Sequence, residues 1–265
     1  MPVYRPRIWL MGTSASLLHH IARKCFGPAP GPRRYLDIGA QNIFNSTEEE
    51  LRSFVAYCRG LEAITPEIRE RCRDLAERSN QVDRPYCAEL LELAGWQYDA
   101  VDMVEAATIR ADLNVYQVAT EHVRAFDIVA NFGTTEHIFN QFACFRAIHY
   151  AAKPGGFMVH MLPCEGYLYH CLFRYDPKFF LLLADANGYK VIHAGLFAEQ
   201  TMSLVDHRHA KWAEHRSVDG AAFRNVLAEF VFLKQTDTDF RSPYDLKGSD
   251  EEIAVDFDEE CSSVR

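Results

Sequence analysis

The sequence predicts a doubly wound α/β fold, with a mostly parallel sheet and a helical insertion after its first strand. Three observations point there. Short apolar runs of strand length alternate with stretches of helical spacing, the pattern of successive βαβ units. The runs and helices end at Gly, Pro or Asn-Gly, residues that stop an element and turn the chain. The chain has 265 residues, 48% hydrophobic and 25% charged, the size and balance of one globular domain carrying extra helices.

The elements follow in order. Residues 1–33 form an N-terminal helical segment that runs into a stiff proline-rich linker, GPAPGPRR at 27–34. The main domain spans 34–241. YLDIGA at 35–40 reads as a buried strand. The helical insertion covers 46–80. Ser46 or Thr47 caps its first helix, with Glu48, Glu49 and Glu50 in the first turn, where the helix dipole favours carboxylates. Thr65-Pro66 opens its second helix. A further helix runs to Ala94 and stops at Gly95. YDAVDM at 98–103 is the second strand. Strands one and two are about 57 residues apart, far more than a βα connection needs. The extra helices therefore either cap the pocket or pack away from it.

ATIRADLN at 107–114 holds a short third strand or an irregular segment, and FDIVANF at 126–132 is a strong fourth strand. A helix over 138–151 closes at the KPGG turn, and FMVHMLP at 157–163 is the fifth strand. A helix over 177–187 ends at Asn187-Gly188. YKVIHAGLFA at 189–198 and NVLAEFVFLKQT at 225–236 are two late strands that allow an antiparallel edge pair. Residues 245–265 carry eight acidic and two basic residues without an apolar period. Residues 242–265 thus read as a solvated, disordered tail.

Composition excludes several classes of function. The formal net charge is −9, which disfavours general binding to nucleic-acid phosphates. No apolar run approaches the length of a membrane span. The start of the chain has no signal-peptide cleavage pattern. The eight cysteines form no CxxC pair, so they read as reduced thiols of a cytoplasmic protein.

In open α/β sheets ligands bind outside the carboxyl ends of the strands. Strand one ends in Asp37, Gly39 and Gln41, strand two in Asp102, and the next segment offers Asp112 and Leu113. Strand four runs into Asn131, Gly133, Glu136 and His137. Strand five carries His160, and the loop after it carries Glu165, Tyr167, Tyr169 and His170. A carboxylate ending strand two suits a ribose, because it accepts bonds from both hydroxyls. The aromatic and histidine-rich stretch 163–176 suits the wall of an acceptor pocket. His149 reads as a packing histidine. His207, His209 and His215 fall in a polar loop with Arg208 and Lys211.

The order of these features resembles the class I S-adenosylmethionine-dependent methyltransferases, whose sheet is Rossmann-like. YLDIGA is similar to their first motif. YDAVDM is similar to the second strand with its ribose-binding acid, Asp102. Ala111-Asp112-Leu113 is similar to the adenine-contacting motif. FDIV, EHI and KPGG, in order over 126–163, resemble the fourth and fifth strands and the helix between them. The resemblance implies S-adenosylmethionine as cofactor, held by Asp37, Gly39, Gln41, Asp102, Asp112, Leu113 and Asn131. It implies methyl transfer to an oxygen or nitrogen of a small-molecule or glycan-like acceptor. His137, beside Glu136, is the candidate base, because an imidazole takes a proton near neutral pH.

Two departures accompany it. Gln41 stands where the family has a second glycine. Some of these methyltransferases also bind a divalent metal through a Glu-x-x-Glu-His pattern, and this chain has Gly-Thr-Thr-Glu-His, without the first Glu. Glu136, His137, His160 and His170 would be the ligands of such an ion, and a site without metal is the main expectation. The alternatives are a non-catalytic module that binds the cofactor or acts as a scaffold, and a nicotinamide-dependent oxidoreductase. The latter would need a fuller glycine-rich loop after strand one.

Overall fold

The computed structural model describes residues 12–104, 106–198, 203–206, 225–245, 253 and 255–258. His207, His209, His215 and Cys261 lie outside them. The elements are α1 (Ala15–Cys25), β1 (Arg34–Ile38), α2 (Glu48–Arg59), α3 (Pro66–Ser79), α4 (Cys87–Leu93), β2 (Gln97–Asp102), β3 (Ile109–Arg110), β4 (Phe126–Phe132), α5 (Gln141–Ala151), β5 (Ala152–Glu165), α6 (Pro177–Asn187), β6 (Tyr189–Ala198), β7 (Ser203–Asp206), β8 (Val226–Lys234) and β9 (Asp256–Phe257).

The sheet runs β3-β2-β1-β4-β5-β8-β6-β7, with β9 on β6. β1 through β5 pair in parallel. β8 slots antiparallel between β5 and β6, so the late antiparallel pair lies inside the sheet and not at its edge. The strand order reverses between β1 and β4, which opens a crevice at their carboxyl ends. β4 is buried along its whole length, as a central parallel strand with both faces covered must be.

Period-two alternation sorts the core into two layers. Tyr35, Ile128, Ala130, Val159 and Val231 face α1 to α4, while Leu36, Ile38, Val129, Met158, Phe230 and Phe232 face α5 and α6. The helices of the 46–80 region bury Leu51, Phe54, Val55, Cys72 and Leu75 in the first layer. α2 packs against α1, α3 and α4, and its Phe54 meets Trp96 at 5.8 Å in the same layer. The helix ends follow the sequence signals. Thr47 and Glu50 form a reciprocal capping box, and Thr65 caps α3 ahead of Pro66. α6 stops at Gly188, whose φ of +63° is the left-handed cap glycine allows.

KPGG makes its turn as a bulge. The β4–β5 register jumps from Phe126↔Ala152 to Ile128↔Phe157, so residues 153–156 loop out. Described residues of the acidic tail depart from expectation, for Asp245 meets Lys178 at 2.7 Å and a short strand joins the sheet. Asp256 and Phe257 pair in parallel with Lys190 and Val191, and Lys190 meets Asp258 at 3.2 Å. Val255 and Phe257 pack on the second core layer. That two-residue apolar period is masked in the sequence by the surrounding carboxylates.

The seven cysteines among the described residues are free thiols. Among these residues no helix is long and apolar enough to cross a membrane.

Candidate functional site

The head of β1 holds the first cluster. Asp37 is fully buried. Tyr98 on the neighbouring β2 donates to its Oδ2 at 2.9 Å, whereas no bond of good geometry reaches Oδ1. Burial pushes the Asp37 carboxyl up to about 7, against the pull of bonding from Tyr98. The chain then turns at Gly39, whose φ of +87° an L-residue resists. A Cβ there would also overlap the Thr134 hydroxyl, which reaches across from the end of β4. Gln41 donates to the Gly39 carbonyl at 3.2 Å and to Thr134 Oγ1 at 3.3 Å, and its own Oε1 is buried without a partner. Gln41 thus fills the place of a second glycine by bracing the turn.

Asp102 ends β2 beside this turn. Its Oδ2 accepts the Ala40 N–H at 2.9 Å and its Oδ1 the Met103 N–H at 2.6 Å. The carboxylate stitches the β1 and β2 loops together and retains lone-pair capacity for a ligand hydroxyl. Asp112 closes an Asx turn on Asn114 at 2.9 Å, and Leu113 is buried behind it.

The second cluster is the turn Thr135–His137 after β4. Glu136 is only 1% exposed, and its Oε2 has no partner. Burial pushes its carboxyl up to about 7. His137 Nε2 lies 3.8 Å from Glu136 Oε1, and the His170 ring stands 5.0 Å from the His137 ring. Burial, then the neighbouring His170, holds His137 below the ordinary imidazole value. The polar atoms of Glu136, His137 and His170 lie within 4.8 Å of one another.

The turn is held from below. Asn131 Nδ2 bonds Thr135 Oγ1 at 2.9 Å and His160 Nδ1 at 3.3 Å. Asn131 therefore positions the turn, with its amide committed to protein partners. Tyr175 donates to Gln141 Oε1 at 2.6 Å, and its hydroxyl oxygen lies at hydrogen-bond distance, 3.1 Å, from the Thr135 hydroxyl. The Glu136 carbonyl accepts the N–H groups of Leu172 and Phe173, both at 3.0 Å, which docks the loop after β5 onto the site. In that loop Tyr167 and Tyr169 take φ of +51° and +62°, and Tyr169, Leu172 and Phe139 stand exposed around it.

Most of the candidate residues thus gather along the β1–β4 crevice. His160 does not join Glu136, His137 and His170. It is buried between Phe145, Phe180 and Phe232 on the α5–α6 side, and burial pushes it down to about 3. Strand alternation sends it there, away from the turn. His149 is a packing histidine, accepting from Tyr189 at 2.6 Å and donating to the Thr238 carbonyl at 2.8 Å. Gln141 carries no sequence signal, and Thr134 and Tyr175 stand out in the sequence only as members of the 133–137 and 163–176 stretches. Their roles arise from contacts between distant elements.

The site suits the methyl donor that the motifs imply. Gln41 Oε1 is a buried acceptor without a partner, open to a ligand N–H, and Asp102 offers a carboxylate to hydroxyls. No curated protein matches the chain in sequence. Among solved structures it is similar to an S-adenosylmethionine-dependent methyltransferase from Archaeoglobus fulgidus, at 14% identity and a TM-score of 0.45, over 83% of this chain and 94% of that one. It is similar to a 1,6-didemethyltoxoflavin N1-methyltransferase from Burkholderia thailandensis, at 12% identity and a TM-score of 0.42, over 84% of this chain and 77% of that one. A phosphoethanolamine N-methyltransferase from Haemonchus contortus matches at 15% identity and a TM-score of 0.44, over 82% of this chain and 52% of that one. Residues 14–222 match the family described as methyltransferase domain. That span takes in every element from α1 through β7, and the chain belongs to this family, as an S-adenosylmethionine-dependent methyltransferase of class I fold.

Proposed function

We propose that the chain transfers the methyl group to an oxygen or nitrogen of a small-molecule or glycan-like acceptor, with His137 as the base and Glu136 as its partner. S-adenosylmethionine supplies a methyl group already activated on a sulfonium, so the protein needs to align the acceptor and accept a proton. Asp37, Gly39, Gln41, Asp102, Asp112 and Leu113 are the residues assigned to hold the donor, with Asn131 fixing the turn beside it.

The observation that carries the reading is the buried Glu136 next to a half-buried histidine at the carboxyl end of β4. His137, held below its ordinary value, is neutral at physiological pH and offers a lone pair to an O–H or N–H. As it takes the proton, the Glu136 carboxylate stabilises the imidazolium. The apolar rim of Phe139, Tyr169 and Leu172 supports an acceptor with an apolar body. The −9 net charge supports a small acceptor over a nucleic acid.

The test is transfer of labelled methyl from S-adenosylmethionine to a panel of phenols, amines, carboxylates and sugars, run beside RNA and protein substrates. The expected result is turnover of a small acceptor that falls about 100-fold or more in His137→Ala. Labelling of RNA or protein alone would overturn the acceptor class, and undiminished His137→Ala would overturn the base.

A further inference from the structure

A second cluster of ligating side chains lies outside the site above. Glu229 in the middle of β8 is 2% exposed and His193 on β6 is 3% exposed. His20 on α1 completes the group with a side chain that is 37% exposed. One carboxylate oxygen faces each imidazole: Oε1 lies 3.2 Å from His20 Nε2 and Oε2 lies 3.4 Å from His193 Nε2. The angles of both contacts fall outside strict hydrogen-bond geometry at His20 Nε2, His193 Nε2 and Glu229 Oε1, although the two imidazoles still hold the buried carboxylate by charge and weak hydrogen bonding. The three ligand atoms lie within 4.8 Å of one another.

From this convergence we infer that His20, His193 and Glu229 form a binding site for a borderline transition-metal dication of the zinc or cobalt kind, which pins α1 to the sheet. Two imidazole nitrogens and one carboxylate are the donor set such ions take, and magnesium or calcium would want more oxygen. Bonds of about 2.0–2.1 Å at tetrahedral angles put adjacent ligand atoms about 3.3 Å apart, close to both separations observed here. Three protein ligands leave the fourth position to solvent, and the exposed edge of His20 gives the ion its way in.

Lys24 is the local competitor. Its Nζ lies 3.0 Å from His193 Nδ1. With the ammonium donating there, His193 carries its proton on Nε2, toward Glu229. Metal on Nε2 moves that proton to Nδ1 and turns the half-buried Lys24 side chain outward. Glu229 pairs with Met161 across β5–β8, and Met161 with Phe132 across β4–β5. The ion therefore sits level with the carboxyl end of β4, on the α1 face.

The experiment titrates the full-length, chelator-treated protein with CoCl2, reading visible ligand-field absorption and heat, with and without competing ZnCl2. The expected result is one equivalent bound, displaced by zinc, and a melting temperature raised by the ion. His20→Ala, at a half-exposed position, and the near-isosteric Glu229→Gln each weaken binding at least about tenfold. Lys24→Met tightens it, the opposite of what a purely ion-paired cluster would do. His137→Ala leaves it unchanged, which separates this site from the Glu136–His137–His170 group. No stoichiometric binding in the wild type, binding retained in His20→Ala, or binding lost in His137→Ala would each overturn the assignment.

Discussion

Replacing Glu136 with Gln keeps the side-chain shape and removes its charge. The carboxyl stands at about 7 in the folded protein, against 4.5 in the unfolded chain, because burial penalises its ionised form. Below pH 4.5 it is protonated in both states and costs nothing. As pH rises from 4.5 to about 7 the unfolded chain ionises and the folded protein resists, so stability is withdrawn, and above about 7 the loss is complete. At about 1.4 kcal/mol per pH unit, the gap between 4.5 and about 7 amounts to about 3 kcal/mol. Glu136→Gln escapes this loss. Urea denaturation at pH 5 and pH 8 reads it as the difference in unfolding free energy between variant and wild type. That difference should be small at pH 5 and about 3 kcal/mol in favour of the variant at pH 8. Asp37, which burial also pushes up to about 7, titrates in both proteins and cancels. The more stable variant should be the poorer enzyme, the trade expected when a site holds an unfavourable charge for its chemistry. A difference of equal size at both pH values would refute the reasoning.

Other perturbations address the remaining parts of the site and core. Gly39→Ala places a Cβ against the Thr134 hydroxyl at φ +87°, and should cost about 2 kcal/mol or more in thermal denaturation while abolishing S-adenosylhomocysteine binding. Asp102→Ala should weaken S-adenosylhomocysteine binding at least about tenfold by calorimetry, and unchanged affinity would remove its ribose role. Phe180 is fully buried and stacks on Phe230 at 4.7 Å, so Phe180→Ala should lower unfolding free energy by about 3–5 kcal/mol.

The sequence by itself determined the strand and helix succession, because each element carries local signals. Apolar runs such as FDIVANF, caps such as Thr47 and Thr65, and stops such as Gly188 act within a few residues of themselves. It also brought Asp37, Gly39, Asp102, Glu136 and His137 to notice, because a doubly wound sheet puts strand ends at one crevice. Tertiary structure decided what no local pattern encodes. α2 of the 46–80 region meets α1 and α4 only in the folded chain. His160 left the candidate group because strand parity turned it into an aromatic core. Thr134 over Gly39, Tyr98 on Asp37, Tyr175 beneath Thr135, and Glu229 between two histidines all join residues tens to hundreds of positions apart. Side-chain identity alone says nothing of such pairings. Only the packed sheet, by fixing register and facing, makes them neighbours.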